Sequence, residues 1–269
     1  MNTKEDIDFF KQYFSGQIDL VAGLPNKLHK KILFSCILDT LGQARYPKGS
    51  NKKRIVSFIN TCSDWEDRNR VSLSQLLYNF DRKLSYSEKK QSELYGYAQK
   101  RISSLDRARV YRASEVDPFF NEFKKTVTKK ESKSLKLAKY KYVDLFYAYR
   151  NMLVHNFKEP GHALESTSDG EFTLFHFGDS RYGQLIFPVG FFQYICTSCL
   201  DGLHSYLIDS NINPYKDGIY DFSDIWILKE KFFEPQSSKL MYRVARLSLH
   251  SAYQAVRVKI GQIYRQSRH

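Results

Sequence analysis

The sequence predicts a mainly helical fold, a helical bundle with one inserted β-hairpin and a C-terminal helical extension, and three observations carry that prediction. Apolar residues recur at intervals of three and four through most of the chain, the period of a helix with one buried face. Glycine and proline clusters at 23–26, 46–49 and 160–161 separate these runs. One stretch, from about 171 to 187, instead alternates apolar and polar side chains as paired strands do.

The elements follow in order. Residues 1–26 form an N-terminal helix whose Ile7, Phe10, Phe14 and Ile18 share a face, stopped by Gly23, Pro25 and Asn26. A long helix runs from Lys27 to Arg45 and ends at Tyr46-Pro47-Lys-Gly49. The next spans Asn51 to Cys62 on an Ile55, Phe58 and Ile59 stripe, and a short one spans Val71 to Phe80. From Asp81 to Lys133 the pattern is weaker and more charged, with helical fragments at Glu88 to Arg101 and Phe119 to Val127. A further helix spans Leu135 to about Phe157, and the hairpin comes next, with a turn around Gly178 to Arg181. Phe191 to Ile208 returns to a helical period and closes at Asn211 to Pro214. Residues 211–269 form the extension, with a helix from about Ser238 to Arg265 on Leu240, Val244, Leu247, Ala255 and Ile263. Residues 27–210 thus constitute the main helical domain.

Size and charge bound the function. A chain of 269 residues can bury a hydrophobic core without disulfides or metal. The 42 Lys+Arg against 29 Asp+Glu give a net charge of +13, which attracts polyanions, nucleic acid before anionic membrane. The opening residues lack the apolar run of a secretion signal, and no window approaches the roughly 18 apolar residues of a membrane span. A cytoplasmic protein with no membrane partner is the expectation. Cys36, Cys62, Cys196 and Cys199 are too few for a disulfide scaffold. Cys196-Thr-Ser-Cys199 has no second ligand pair and lies in a helical pattern, so these cysteines read as small core residues, and no metal or other cofactor is expected.

The chemistry concentrates at Arg150, Asn151 and His155, near the end of the aromatic-rich helix. Asn151 and His155 are four apart and share a face, whereas Arg150 and His155 lie roughly 140° apart around the axis. One helix cannot focus both on one atom, which favours a site completed across a two-fold dimer. Histidine can take or give a proton at neutral pH, and arginine can hold phosphate oxygens bidentately. That pair suits cleavage of RNA, whose 2′-hydroxyl is a built-in nucleophile. Lys129, Lys130, Lys133, Lys136 and Lys139 lead into the helix and read equally as a solvated run or an RNA-tracking surface. His162, just past the helix stop, is within reach of the site but reads first as a surface-loop residue. His176 and His204 have no partner at catalytic spacing, and there is no glycine-rich phosphate loop.

The run Arg150-Asn-Met-Leu-Val-His155, with its aromatic approach and its Pro160-Gly161 stop, resembles the signature helix of the HEPN superfamily. Ile37-Leu-Asp39-Thr-Leu-Gly-Gln-Ala-Arg45-Tyr-Pro47 and Lys53-Arg-Ile-Val-Ser-Phe-Ile59 also look like the opening helices of HEPN-like proteins, so the resemblance covers roughly residues 28–210. It implies a HEPN-like bundle that dimerises through the motif helix and a metal-independent endoribonuclease, often a toxin or an antiviral defence effector with an antitoxin or defence-system partner. It assigns Arg150 and His155 catalytic roles and Asn151 a supporting one, with Asp39 the candidate for an added acidic group. The tyrosine that some paired toxins carry just after the histidine is replaced here by Asn156-Phe157, which puts regulation at such a tyrosine in doubt. Two other readings stand beside it: a non-catalytic HEPN-like module that binds RNA or a nucleotide or only dimerises, and a basic DNA-binding accessory protein.

Overall fold

A computed structural model describes residues 3–125, 136–157, 170–178 and 180–215. The chain divides into two units, Met1–Ile219 and Tyr220–His269, and all described residues belong to the first. The predicted C-terminal helix, His162 and the lysines at 129, 130 and 133 fall outside the described residues. Among the described residues the fold is mainly α, with one small antiparallel sheet.

Five helices form the bundle: α1 (Thr3–Ala22), α2 (Lys27–Arg45), α3 (Asn51–Cys62), and two that follow later, α9 (Tyr142–Asn156) and α10 (Val189–Asp209). Their starts are chemical. The side chains of Asn26 and Ser50 accept the His29 and Lys53 backbone N–H groups at 2.9 and 3.4 Å, satisfying donors that the first turn leaves free. α10 is the central element and packs against α1, α2 and α3. Its buried face, Phe192, Ile195, Cys196, Cys199, Leu203 and Leu207, recurs at the helical interval and meets Phe34, Leu38, Phe58 and Ile59 in the core. α10 and α3 approach so closely that a β-carbon at Gly202 would overlap the Cys62 carbonyl. Burial pushes the Cys196 and Cys199 thiols well up from their ordinary range, and Cys196 Sγ donates to the Phe34 carbonyl at 3.3 Å.

α1 lies on α10 and α2 through Ile7, Phe10, Phe14 and Ile18. Its polar edge is stitched to α10 by Lys11–Asp201 at 2.7 Å and by His204 Nε2 to Asp8 at 2.9 Å, while Asn213 beyond α10 donates to the buried Asp6 at 2.6 Å.

The middle of the chain forms a smaller group: α4 (Leu73–Lys83), α5 (Tyr86–Gln91), α6 (Glu93–Ser103), α7 (Ala113–Val116) and α8 (Phe120–Lys125). The single helix expected from Glu88 to Arg101 is two helices, because the Ser92 side chain accepts the Tyr95 N–H and restarts the hydrogen-bond ladder. α5 itself opens with a capping box between Ser85 and Glu88. The predicted hairpin is present as β2 (Leu174–His176) and β3 (Gln184–Ile186), and a strand the sequence did not signal, β1 (Tyr111–Arg112), extends it to order β1-β2-β3. Tyr111 pairs with Phe175, and Leu174 with Ile186. Gly183, at φ +74°, is needed there, since a β-carbon would run into the Phe175 ring.

Three distant segments meet beside α4. Val71 N–H bonds the Pro118 carbonyl, Ser72 N–H the Tyr140 carbonyl, and Tyr142 N–H the Arg70 carbonyl, each at 2.9 Å. Asp117 is buried at this junction, 2 % exposed. Its Oδ1 accepts the Leu73 N–H at 3.0 Å and its Oδ2 lies 2.7 Å from the Tyr142 hydroxyl. Burial pushes the carboxyl up to about 7, against the pull of those two hydrogen bonds and of the nearby Arg70 and Arg101 charges.

Candidate functional site

The junction decides where the aromatic helix begins. The expectation of a helix from Leu135 is corrected to a 3-10 turn, Leu137–Tyr140, followed by α9 from Tyr142, because the backbone between them is held by Arg70 and Ser72. From there Tyr142, Phe146, Tyr149 and Leu153 form the buried row. The aromatics are core residues: Phe146 lies 5.0 Å from Phe192 and 5.3 Å from Phe187 between ring centroids, and Trp65 stands edge-on to Phe191 at 4.9 Å. Lys31 of α2 is fully buried beside them, donating to the Tyr149 hydroxyl at 3.0 Å with its ammonium 5.2 Å from that ring's centre.

This packing turns Arg150 inward. It is 4 % exposed, its Nη2 pairs with Asp39 of α2, and its Nη1 donates to Asn151 Oδ1 at 2.8 Å. Nε is buried with no hydrogen-bond partner among the described residues. Burial draws the guanidinium below its ordinary range, opposed by neighbouring Cys36. Asp39, predicted only as a candidate acidic partner, is thus brought to Arg150 from a distant part of the chain by the packing of α9 on α2. Nearby, Lys52 of α3 pairs with Asp144 of α9 at 2.6 Å, a second polar tie on the same helix.

His155 is placed differently. It occupies the last turn of α9, is exposed, and makes no hydrogen bond or ion pair among the described residues. α9 closes immediately after it at Phe157, whose left-handed φ of +50° lets its N–H bond the Leu153 carbonyl at 3.1 Å. Arg150, Asn151 and Asp39 therefore form one cluster, and His155 stands apart from it. The divergence expected from helical spacing is what the fold contains. His155 continues the outer row of α9 through Leu145, Ala148 and Met152. Leu145, Ala148, Tyr149 and Met152 of that helix, with Gln75 of α4, Gln184 and Leu185 of β3 and Phe187, line a cleft of about 200 Å³. His155 lies beyond its lining, and among the described residues no carboxylate lines it.

Of the five lysines, Lys136 and Lys139 are described, both exposed, around the 3-10 turn ahead of α9. They share a small pocket with Lys83, which no sequence pattern had singled out. His176 Nδ1 accepts the Gly178 N–H at 2.7 Å and so shapes the hairpin turn, and His204 is committed to Asp8. Among the described residues no group of three or more His, Cys, Asp or Glu could hold a metal ion, and no helix is long and apolar enough to cross a membrane.

No family model, no curated protein and no solved structure matches the chain.

Proposed function

We propose that the chain is a HEPN-type, metal-independent endoribonuclease, a toxin or defence effector acting on RNA as a homodimer. The single observation that carries the reading is the division of labour on α9. A guanidinium fixed beside an amide and a carboxylate is followed, one turn on, by an exposed and unengaged imidazole. The reaction asks for little more. The 2′-oxygen attacks the adjacent phosphorus and the 5′-oxygen departs, leaving a 2′,3′-cyclic phosphate. His155 takes the proton from the 2′-hydroxyl or gives one to the 5′-oxygen. Arg150, its orientation set by Asp39 and Asn151, supplies positive charge to the phosphorane. Because Arg150 and His155 point in different directions, a second α9 related by a two-fold axis supplies the group that the first lacks.

The test uses the full chain and total RNA in EDTA, with product ends analysed for cyclic phosphate. Wild type should cleave and His155→Ala should not, at unchanged thermal stability. Cleavage by the histidine variant at the wild-type rate would sink the assignment.

One observation favours the non-catalytic alternative. Arg150 is buried, and two of its three nitrogens are engaged within the chain, as a structural arginine's would be. In that reading the module holds RNA on the α9 face without cutting it, and wild type produces no cyclic ends.

A further inference from the structure

We infer that Lys83, Lys136 and Lys139 form a seat for the sugar–phosphate backbone of single-stranded RNA, beside the α9 cleft. The inference rests on the reading of the chain as RNA-binding and deepens it.

The pocket has a volume of about 180 Å³, enough for one phosphodiester group and part of its sugar. One wall is a single face of α4, Leu76, Asn79, Phe80 and Lys83, at the i, i+3, i+4, i+7 spacing. The other is the 3-10 turn that brings Lys136 and Lys139 up to it. Among the described residues three ammonium groups line this space and no carboxylate does. None of the three makes an ion pair or a hydrogen bond among the described residues, whereas Lys52, Lys89 and Lys11 each have an aspartate. Like charges gathered without a counter-charge repel, and a bound anion removes that repulsion. Lys136 adds a second sign, since it holds a left-handed conformation at φ +50° that a lysine rarely adopts, directly ahead of the 3-10 turn.

Position makes the occupant a strand. The outer ridge of α4 runs Gln75, Asn79, Lys83, and Asn79 Nδ2 donates back to the Gln75 carbonyl at 2.9 Å. Gln75 lines the α9 cleft and Lys83 lines the lysine pocket, so one ridge of about 12 Å, eight residues at roughly 1.5 Å each, joins the two. Among the described residues no carboxylate lines either end. A strand whose phosphate sits among the lysines would pass its next nucleotides along Asn79 and Gln75 to the row that ends in His155.

The experiment measures binding of a fluorescent single-stranded RNA in which every ribose is 2′-O-methylated, so that cleavage cannot occur. Anisotropy is followed across a salt series for the wild type, Lys83→Gln, Lys136→Gln/Lys139→Gln, the triple variant and Lys83→Arg, with thermal melts as a control for folding. The triple variant should bind roughly 10-fold or more weakly, and its log K against log salt line should flatten by about 0.7, the amount for the one phosphate no longer neutralised. Lys83→Arg should restore what Lys83→Gln loses, because charge and not the helix-ending lysine itself is what matters. Unchanged affinity and slope in a folded triple variant would overturn the inference, as would weakening with no change of slope. The outcome is separable from catalysis. A protein that binds as described but never cuts RNA keeps the seat and loses the nuclease.

Discussion

Replacing Asp117 by asparagine tests whether the junction beside α4 holds a neutral acid. The geometry already argues for one. The Tyr142 hydroxyl lies 2.7 Å from Asp117 Oδ2 and 3.0 Å from the Ala113 carbonyl, and it has only one hydrogen to give. If Asp117 is protonated, its own O–H donates to Tyr142 and Tyr142 donates to Ala113, so every group is satisfied. If it is ionised, one acceptor is left wanting in a buried place. The sign follows from the direction of the displacement, since burial raises the carboxyl from 3.8 to about 7 in the folded protein. Below about pH 4 the acid is neutral folded and unfolded, and its contribution is fully present. As pH rises toward 7 only the unfolded chain ionises, so stability is lost through that interval and levels off above it. At about 1.36 kcal/mol per pH unit the interval is worth about 4 kcal/mol. An asparagine at this position mimics the neutral acid, its Oδ1 accepting from Leu73 and its Nδ2 donating to Tyr142. Thermal or urea unfolding of both proteins from pH 4.5 to 8 should therefore show Asp117→Asn gaining on the wild type as pH rises, by roughly 8 °C in Tm at pH 8. Asp64 and Glu88, held below their usual range by hydrogen bonds, and Asp81, where burial is outweighed by Lys89 and Tyr182, act with the opposite sign but are common to both proteins and cancel. A loss of stability in Asp117→Asn that is the same size at pH 4.5 and pH 8 would refute the reasoning and make Asp117 a buried anion held by Arg70 and Arg101.

Two further substitutions probe the frame of the site. Gly202→Ala should destabilise by about 3 kcal/mol, the upper end for overpacking, because the obstacle is the Cys62 carbonyl and not a movable side chain; a melting temperature equal to wild type would contradict the close approach of α3 and α10. Asp39→Asn and Arg150→Met, singly and together, should give a coupling energy of about 1–3 kcal/mol in urea unfolding, reduced from a fully buried pair because the Asp39 side chain is 34 % exposed. Additive losses would mean that the two side chains do not stabilise one another.

What the sequence made legible was local. α1, α2 and α3 announce themselves because an apolar face and a stop or a capping side chain lie within a few residues of each other, as at Asn26 and Ser50. The break at Ser92 was missed although serine is a good N-cap, since a period running across it obscures a restart of the ladder. β1 was invisible for a different reason: two residues, Tyr111 and Arg112, have no period, and only Phe175 and Leu174 make them a strand. The site divides in the same way. The separation of Arg150 from His155 is a property of one helix and could be read directly. The Arg150–Asp39 pair depends on how α9 lies on α2, and Lys83 joins Lys136 and Lys139 only because a 3-10 turn folds back onto α4. Nothing in the spacing of those residues encodes either meeting.

The anchoring of α9 has a mechanical consequence. Its root at Tyr142 is clamped: the backbone is bonded to Arg70, the hydroxyl lies against Asp117, and the side chain is wholly buried. Its tip carries an exposed His155 and an exposed Phe157. Between them the buried row Tyr142, Phe146, Tyr149 and Leu153 holds the helix against the core into its last turn, so its bearing is set along its length and only the residues past Leu153 stand clear of the core. Arg150, tied to Asp39 of α2, and Asn151, bonded to Arg150, keep the bearing that folding gives them. His155, exposed and without a hydrogen bond or ion pair among the described residues, is open to be aimed by whatever settles against the tip.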